Sequence, residues 1–337
     1  MIIGITKEIS PHENRIALTP QTAAKYKKLG FSVIMEQHAG LKACFSDHNY
    51  TTAGVQVLST ASEVLTQCDI WLKIRAPQIS EIKHLKNYSF IIGDFQGHKL
   101  TTQFDFLKKH HITCYALNQL ERISRAQPFD VLSSQNNLAG YQAVIRAASL
   151  YPSVLPLMIT SAGTIAPAKI LIIGIGVAGL QAIATARRLG AKVYAYDINS
   201  NLKEQAESLG AKFVNDFIPL LPELNIIITA AFTPDKKAPL IITADMLKKL
   251  PPHAVLLDMA ANYGGNIFKS SDHKTTRCNG CIIYGAGNLA SEIPLTASEL
   301  FANNLYNFIN FIYSQSTNTI HHNLDDSLLT STLLIKG

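Results

Sequence analysis

The segment from Lys169 to Asp197 reads as a complete strand, turn, helix and strand, and that pattern admits few folds. Ile170-Leu171-Ile172-Ile173 is a short apolar run. Gly174-Ile175-Gly176-Val177-Ala178-Gly179 follows it, and Leu180, Ile183 and Ala184 then recur on one face of a helix. Val193-Tyr194-Ala195-Tyr196 reads as the second strand, with Asp197 at its end. Gly174 permits a tight turn, Gly176 lets the backbone approach a pyrophosphate, and Gly179 lets the helix pack closely on the sheet. The unpaired N–H groups of the first helical turn then face the phosphates. Asp197 lies roughly 20 residues beyond the turn, the spacing of a carboxylate that accepts from ribose hydroxyls. Such a group repels a 2′-phosphate, so NAD(H) is expected rather than NADP(H). A plain βαβ unit with a glycine turn carries part of the same pattern; the flanking strand, helix and acid favour the dinucleotide. The candidate cofactor contacts here are Gly174, Gly176, Val177, Gly179, Asp197, Ile198 and Asn199.

Short apolar strands alternate with helical patterns through the rest of the chain. Strands are predicted at Ile2 to Ile5, Ser32 to Glu36, Ile70 to Ile74, Phe90 to Gly93 and Thr113 to Ala116, with a helix from Pro20 to Leu29 stopped by Gly30. A helical pattern from Ser134 to Tyr151 leads into strands beginning at Lys169, Lys192, Lys212, Asn225, Ala254 and Cys281. Alternation of this kind implies parallel sheets covered on both faces. The 337 residues suffice for about two domains. The fold class expected is therefore α/β in two domains, each a parallel sheet with helices on both faces, the central one of Rossmann type with six strands. A last helical pattern, Thr296 to Tyr313, carries Leu300, Phe301, Leu305, Phe308 and Ile312 as an apolar stripe that returns the chain to the first domain. The domains read as 1–133 plus 302–337, and 134–301; the tail from Ser314 has no clear place.

Composition excludes several classes. Hydrophobic residues are 47% and charged ones 16%, no run approaches the ~18 apolar residues of a membrane span, and the start lacks a signal-peptide pattern. A cytoplasmic chain without membrane insertion is expected. The net charge of +6 is scattered, so nucleic acid is not an expected partner. Five cysteines argue against a disulfide framework, and Cys278-Asn279-Gly280-Cys281 has redox or half-zinc spacing with no second pair, which also suits structural thiols. His110-His111 and His321-His322 are adjacent pairs and poor chelates, so no metal is expected.

Glu121 to Asp130 places Arg122, Arg125, Gln127 and Asp130 in a loop after a strand end, where ligands of open α/β sheets bind. An amide and a carboxylate so placed can orient a planar ring, or serve only as a solvated loop. Asn288, after Tyr284-Gly285-Ala286-Gly287, is a further candidate nicotinamide contact or a turn residue.

The chain resembles the alanine dehydrogenase/transhydrogenase family, and within it the NAD(H)-binding component of proton-translocating nicotinamide nucleotide transhydrogenase. The likeness runs from Thr6-Lys7-Glu8 and Asn14-Arg15-Ile16-Ala17-Leu18-Thr19-Pro20 through Arg122-Ile123-Ser124-Arg125-Ala126-Gln127 and Ser133 to Tyr141. It continues through the glycine turn and Gly264-Gly265-Asn266 to Leu300-Phe301-Ala302-Asn303-Asn304-Leu305. The resemblance implies a flavodoxin-like (formate-dehydrogenase-like) first domain and a homodimer. It implies a partner component carrying NADP(H) and a membrane-spanning subunit, with direct hydride exchange between the two nicotinamides of the Si/Re type. It gives catalytic roles to Arg122, Gln127, Asp130 and Ser133, and nicotinamide-side contacts to these and to Ser124 and Arg125.

Two departures bear on activity. Arg15 and Lys73 match positions that hold the substrate in alanine dehydrogenases, but Asp94 falls where that branch has a histidine and Asn262 where it has an acid. Asparagine exchanges no proton at neutral pH, and an unperturbed Asp at ~3.9 is a poor acid there, so Arg15 and Lys73 are expected as structural ion-pair residues. Between Phe213 and Asn225 the chain is short where the family carries a mobile loop over NAD(H), and Thr233-Pro234-Asp235-Lys236-Lys237 is a candidate partial cover. Three functions stay open: the transhydrogenase component, an alanine-dehydrogenase-like oxidoreductase, and a non-catalytic NAD(H)-binding sensor or scaffold.

Overall fold

Two parallel sheets, each buried on both faces, organise the computed structural model of the chain, which describes residues 1–95, 103–121, 123–232, 236–321 and 325–336. The chain divides into two compact units, Met1–Gln135 with Ser291–Gly337, and Asn136–Ala290.

In the first unit the strands lie in the order Gln56–Leu58, Ser32–Glu36, Ile2–Ile5, Ile70–Lys73, Phe90–Gly93, Thr113–Ala116, then Leu333–Ile335. The first six are parallel; the last is antiparallel, pairing Leu333 with Tyr115. Alternate residues serve opposite faces. Ile3, Ile5, Ile70, Leu72 and Tyr115 enter one buried cluster, while Ile34, Trp71, Ile91 and Cys114 enter the other. A flavodoxin-like sheet has the order 2-1-3-4-5; here the short strand Gln56–Leu58 lies outside Ser32–Glu36 and extends it to 3-2-1-4-5-6. That three-residue strand is too short to stand out in the sequence.

The helix Pro20–Lys28 starts where it should, because Thr19 caps it, accepting from the Thr22 N–H, and it stops at Gly30 with φ +92°. The long helix Val131–Leu150 begins earlier than Ser134 because Asp130 caps it. Pro294–Ile312 buries Phe301, Leu305, Phe308, Ile309 and Ile312 in the first unit's core. Leu300, expected on that stripe, is 38% exposed: it stands one residue, about 100°, from Phe301. The unit changes over at Ser291 rather than at 302 because the start of this helix already bonds to the first unit. The Ile16 N–H donates to Ser298 and Asn14 to Ser291.

The second unit orders its strands Lys212–Phe213, Lys192–Tyr196, Lys169–Ile173, Ile226–Thr229, Val255–Asp258, Cys281–Gly285 and Thr275–Cys278. Six are parallel in the Rossmann order, and the seventh is an antiparallel edge that the six-strand expectation lacked. Its turn is Asn279-Gly280, both at positive φ, the signature of a two-residue type I′ hairpin. The Cys-x-x-Cys spacing is thus that of hairpin flanks: Cys278 and Cys281 are register partners. A second hairpin, Met158–Thr160 with Gly163–Ile165, is exposed along its length.

Removing residues 327–337 is expected to bare the Thr113–Ala116 edge and uncover the core that Leu328, Leu329 and Ile335 cover. A lower denaturation midpoint and concentration-dependent light scattering would follow from an exposed parallel edge.

Candidate functional site

The strand Lys169–Ile173 ends in a turn that its neighbours enforce. Gly174 has φ +91°, and a Cβ on it would stand 2.8 Å from the Ala230 carbonyl carbon. A Cβ on Gly179 would stand 1.9 Å from the Gly174 carbonyl oxygen, so only glycine lets the helix Val177–Arg188 seat against the turn. Gly176 differs: nothing lies within 4 Å of where its Cβ would be. It occupies the N-cap position with no side-chain cap, so the first-turn N–H groups stay uncovered beside open space. The helix buries Ala178, Gly179, Ala182, Ile183, Thr185 and Ala186. Leu180 and Ala184, expected on that face, sit half-buried at its margin.

Asp197, at the end of Lys192–Tyr196, ties the turn to the neighbouring strand. Its Oδ2 accepts from the Ile175 N–H at 2.7 Å and its Oδ1 from the Asn199 N–H at 2.9 Å. Each oxygen keeps a lone pair for a ligand. Val177 is 40% exposed and Ile198 94% exposed beside it.

A second acid at a strand end escaped the sequence reading. Asp258 is fully buried, with Oδ1 accepting from Ala260 N–H and the Thr229 hydroxyl, and Oδ2 from the N–H groups of Asn266 and Ile267. Asn266, also buried, donates through Nδ2 to the carbonyls of Ala231 and Pro239. This network fixes the segments that leave Ile226–Thr229 and Val255–Asp258 on the same side of the sheet as the glycine turn. Phe232 and Tyr263 stack there, centroids 5.0 Å apart. The signal was present in Leu256-Leu257-Asp258, an apolar run closed by an acid. Asn288 is half-buried after Cys281–Gly285, at the same ends.

In the first unit the loop after Thr113–Ala116 forms a 3₁₀ helix, Ser124–Phe129. Ser124 and Gln127 are exposed. Arg125 is paired with Asp326. Asp130 accepts from the Ser133 N–H at 2.8 Å and from its hydroxyl at 2.5 Å, so these two are joined as a helix cap. Arg122 lies outside the described residues, as do Thr233, Pro234, Asp235 and His322.

Arg15 and Lys73 are both committed. Arg15 Nε and Nη2 grip the two oxygens of Glu13 at 2.7 Å, and Nη1 donates to Gln135 at 2.7 Å. Arg75 adds a bond to Glu13 at 2.9 Å. Lys73 donates to Glu81 at 2.7 Å, stands 3.7 Å from Glu8 and lies over Trp71. Burial pushes the Glu13 carboxyl up, but Arg15 and then Arg75 overcome it and hold it at about 2. Burial raises Glu8 against the pull of Lys73; its Oε2 has no hydrogen-bond partner among the described residues. Asp94 is buried and its charge acts on Arg15, while Asn262 is exposed. Among the described residues no group of three His, Cys, Asp or Glu is placed to hold a metal ion.

Family models match both units: the alanine dehydrogenase/PNT N-terminal domain over residues 4–139 and the C-terminal domain over 143–337. The chain belongs to the alanine dehydrogenase/PNT family. It is 38% identical to the first part of the NAD(P) transhydrogenase subunit alpha of Rhodospirillum rubrum, over 100% of this chain and 96% of the relative. The solved transhydrogenase from Sinorhizobium meliloti superposes with a TM-score of 0.93 at 39% identity, covering 99% and 98% of the two chains. Alanine dehydrogenase of Staphylococcus saprophyticus is more distant, at 29% over 88% of this chain and 84% of the relative. The alignment with the R. rubrum relative spans 370 positions against 337 residues here, so this family member is the shorter. In residues 214–224 Phe217, Leu221 and Leu224 are buried against the sheet around the 3₁₀ turn Ile218–Glu223.

Glu13→Gln leaves the buried Arg15, and the part-buried Arg75 beside it, without their carboxylate, which costs about 3–5 kcal/mol at pH 7 by denaturant unfolding. The folded carboxyl lies below its unfolded value, so its contribution is present above about 4.5 and fades as pH falls towards about 2. The gap between wild type and variant should therefore close over that window.

Proposed function

We propose that this chain is the NAD(H)-binding component of a nicotinamide nucleotide transhydrogenase. Hydride passes between NAD(H) held here and NADP(H) held on a partner component, in the Si/Re-specific manner, and a membrane-spanning subunit couples the transfer to proton translocation. The observation that carries this reading is the uncovered glycine turn, in a chain matched along its full length by a transhydrogenase alpha-subunit relative.

The pyrophosphate lies over Gly174, Gly176, Val177 and Gly179, on the helix N-terminus. Asp197 uses its remaining lone pairs on the adenosine ribose and repels a 2′-phosphate, which selects NAD(H) over NADP(H). Ile198 and Asn199 border the same position, and Asn288 is a nicotinamide-side contact. Arg122, Ser124, Arg125, Gln127, Asp130 and Ser133 serve the nicotinamide end: Gln127 is exposed, while the Asp130–Ser133 cap fixes where the loop meets its helix. Hydride exchange between two cofactors needs no acid or base from the protein; its task is to hold the rings in register.

A homodimer is part of the reading. The hairpin Met158–Thr160 with Gly163–Ile165 presents Leu157 (56% exposed), Ile159 (77%) and Ile165 (42%), apolar surface of the kind that a second copy covers. Attachment to the cytoplasmic side of the inner membrane through the partner subunits belongs to the same reading; among the described residues no helix is long and apolar enough to cross a membrane. An alanine-dehydrogenase-like activity is disfavoured because Arg15 and Lys73 already hold Glu13, Gln135 and Glu81.

The decisive experiment is reconstitution with an NADP(H)-binding transhydrogenase component: NADH should reduce bound NADP⁺, while alanine with NAD⁺ should yield no NADH above background. Steady alanine turnover without hydride exchange would reverse the choice. Gly176→Ala should leave the thermal midpoint nearly unchanged, since its Cβ meets nothing, yet weaken NADH binding at least tenfold, or roughly 1.4 kcal/mol. Unchanged affinity by titration would remove the pyrophosphate from this turn.

A further inference from the structure

A 3₁₀ helix has three residues per turn, so the six residues of Ser124–Phe129 fall into three columns. Ala126 and Phe129 form the first. Both are buried, and Phe129 meets Phe308 edge-on at 5.9 Å and Phe311 at 5.3 Å. Arg125 and Pro128 form the second. Arg125 pairs with Asp326 and lies over the Phe311 ring at 5.7 Å, while the Pro128 carbonyl accepts from Asn304 Nδ2 at 2.8 Å and Asn307 Nδ2 at 3.2 Å. Ser124 and Gln127 form the third, and both are exposed.

We propose that Asn304, Asn307 and Asp326 are positioning residues that clamp the second column so that the third presents Gln127 in one fixed orientation. The inference rests on the reading above that Gln127 meets the nicotinamide. So short a 3₁₀ segment, with a proline that lacks an N–H, has little stability of its own, so its placement comes from outside. Both lone pairs of the Pro128 carbonyl are engaged by carboxamides. Two of the clamping groups are themselves held. Asn304 Oδ1 accepts from the Ser134 hydroxyl at 2.8 Å, and Asp326 Oδ1 accepts from the Leu328 N–H at 3.0 Å as cap of the helix Ser327–Thr332. The last helix and the C-terminal segment thereby act on the loop at two points, through side chains that do not reach the third column. Hydride transfer is steeply sensitive to such placement, since a misplacement of about 1 Å can cost on the order of 100-fold.

The test is the full chain carrying Asn307→Ala with Asp326→Asn. Asparagine still caps a helix, so the second change removes only the charge pair. Three quantities are compared with wild type: NADH affinity by fluorescence titration, hydride transfer to NADP⁺ on an NADP(H)-binding transhydrogenase component, and hydrogen exchange of the amides of residues 124–130. The expected result is faster exchange in the loop and transfer slowed by about tenfold, with affinity changed by less than about twofold. Unaltered loop exchange in a folded variant would overturn the proposal, and so would equal losses in transfer and affinity. Should wild type itself transfer no hydride, the functional reading fails separately, and loop exchange still decides whether these residues hold the loop. If the double variant does not fold, Asn307→Ala alone carries the same comparison.

Discussion

The contact between Gly179 and the Gly174 carbonyl is the constraint from which the rest of the second unit follows. A helix that approaches a turn this closely admits no side chain at the crossing, and the approach brings the helix N-terminus to the end of the central strand. Gly140 obeys the same rule from the long helix, where a Cβ would stand 2.1 Å from the Ala178 carbonyl oxygen. Two helices thus approach by backbone as well as by side-chain packing, while Asp197 and Asp258 fix the loops at the same ends of the strands through backbone N–H groups. The open position at Gly176 is what such an arrangement leaves for a ligand.

The first unit solves a different problem. Its interior holds Glu8, Glu13, Arg15, Lys73 and Glu81, and charges so placed are tolerated only when paired. Glu13 satisfies two guanidinium groups at once, while Glu8 Oε2, 3.7 Å from Lys73, has no hydrogen bond among the described residues. Arg15 and Lys73 are thereby held on Glu13, Gln135 and Glu81.

Much of the fold was legible because parallel strands buried on both faces are nearly pure apolar runs, as in Ile170 to Ile173 and Ile226 to Ile228. The glycine turn was legible because three glycines at fixed spacing have three separate steric causes. What escaped were elements whose stability is tertiary. Gln56–Leu58 and Leu333–Ile335 are strands only because an edge awaits them, and Thr275–Cys278 hid behind a cysteine spacing that the Asn279-Gly280 hairpin turn accounts for. Asp258 closes the apolar run Leu256-Leu257, but nothing local shows that four donors, one of them Thr229, converge on it. The bond of Arg125 to Asp326, 201 positions away, has no local trace in the sequence.

The first unit is assembled from both ends of the chain, and the second lies between them in sequence. During synthesis residues 136–290 leave the ribosome with all their strands, while the first sheet still lacks Leu333–Ile335 and the apolar stripe of Pro294–Ile312. The nascent N-terminal sheet must therefore wait with Tyr26, Phe129 and Tyr115 unshielded by Phe308 and Tyr306 until residues 294–312 have been made. That interval is when chaperone capture matters most to this chain.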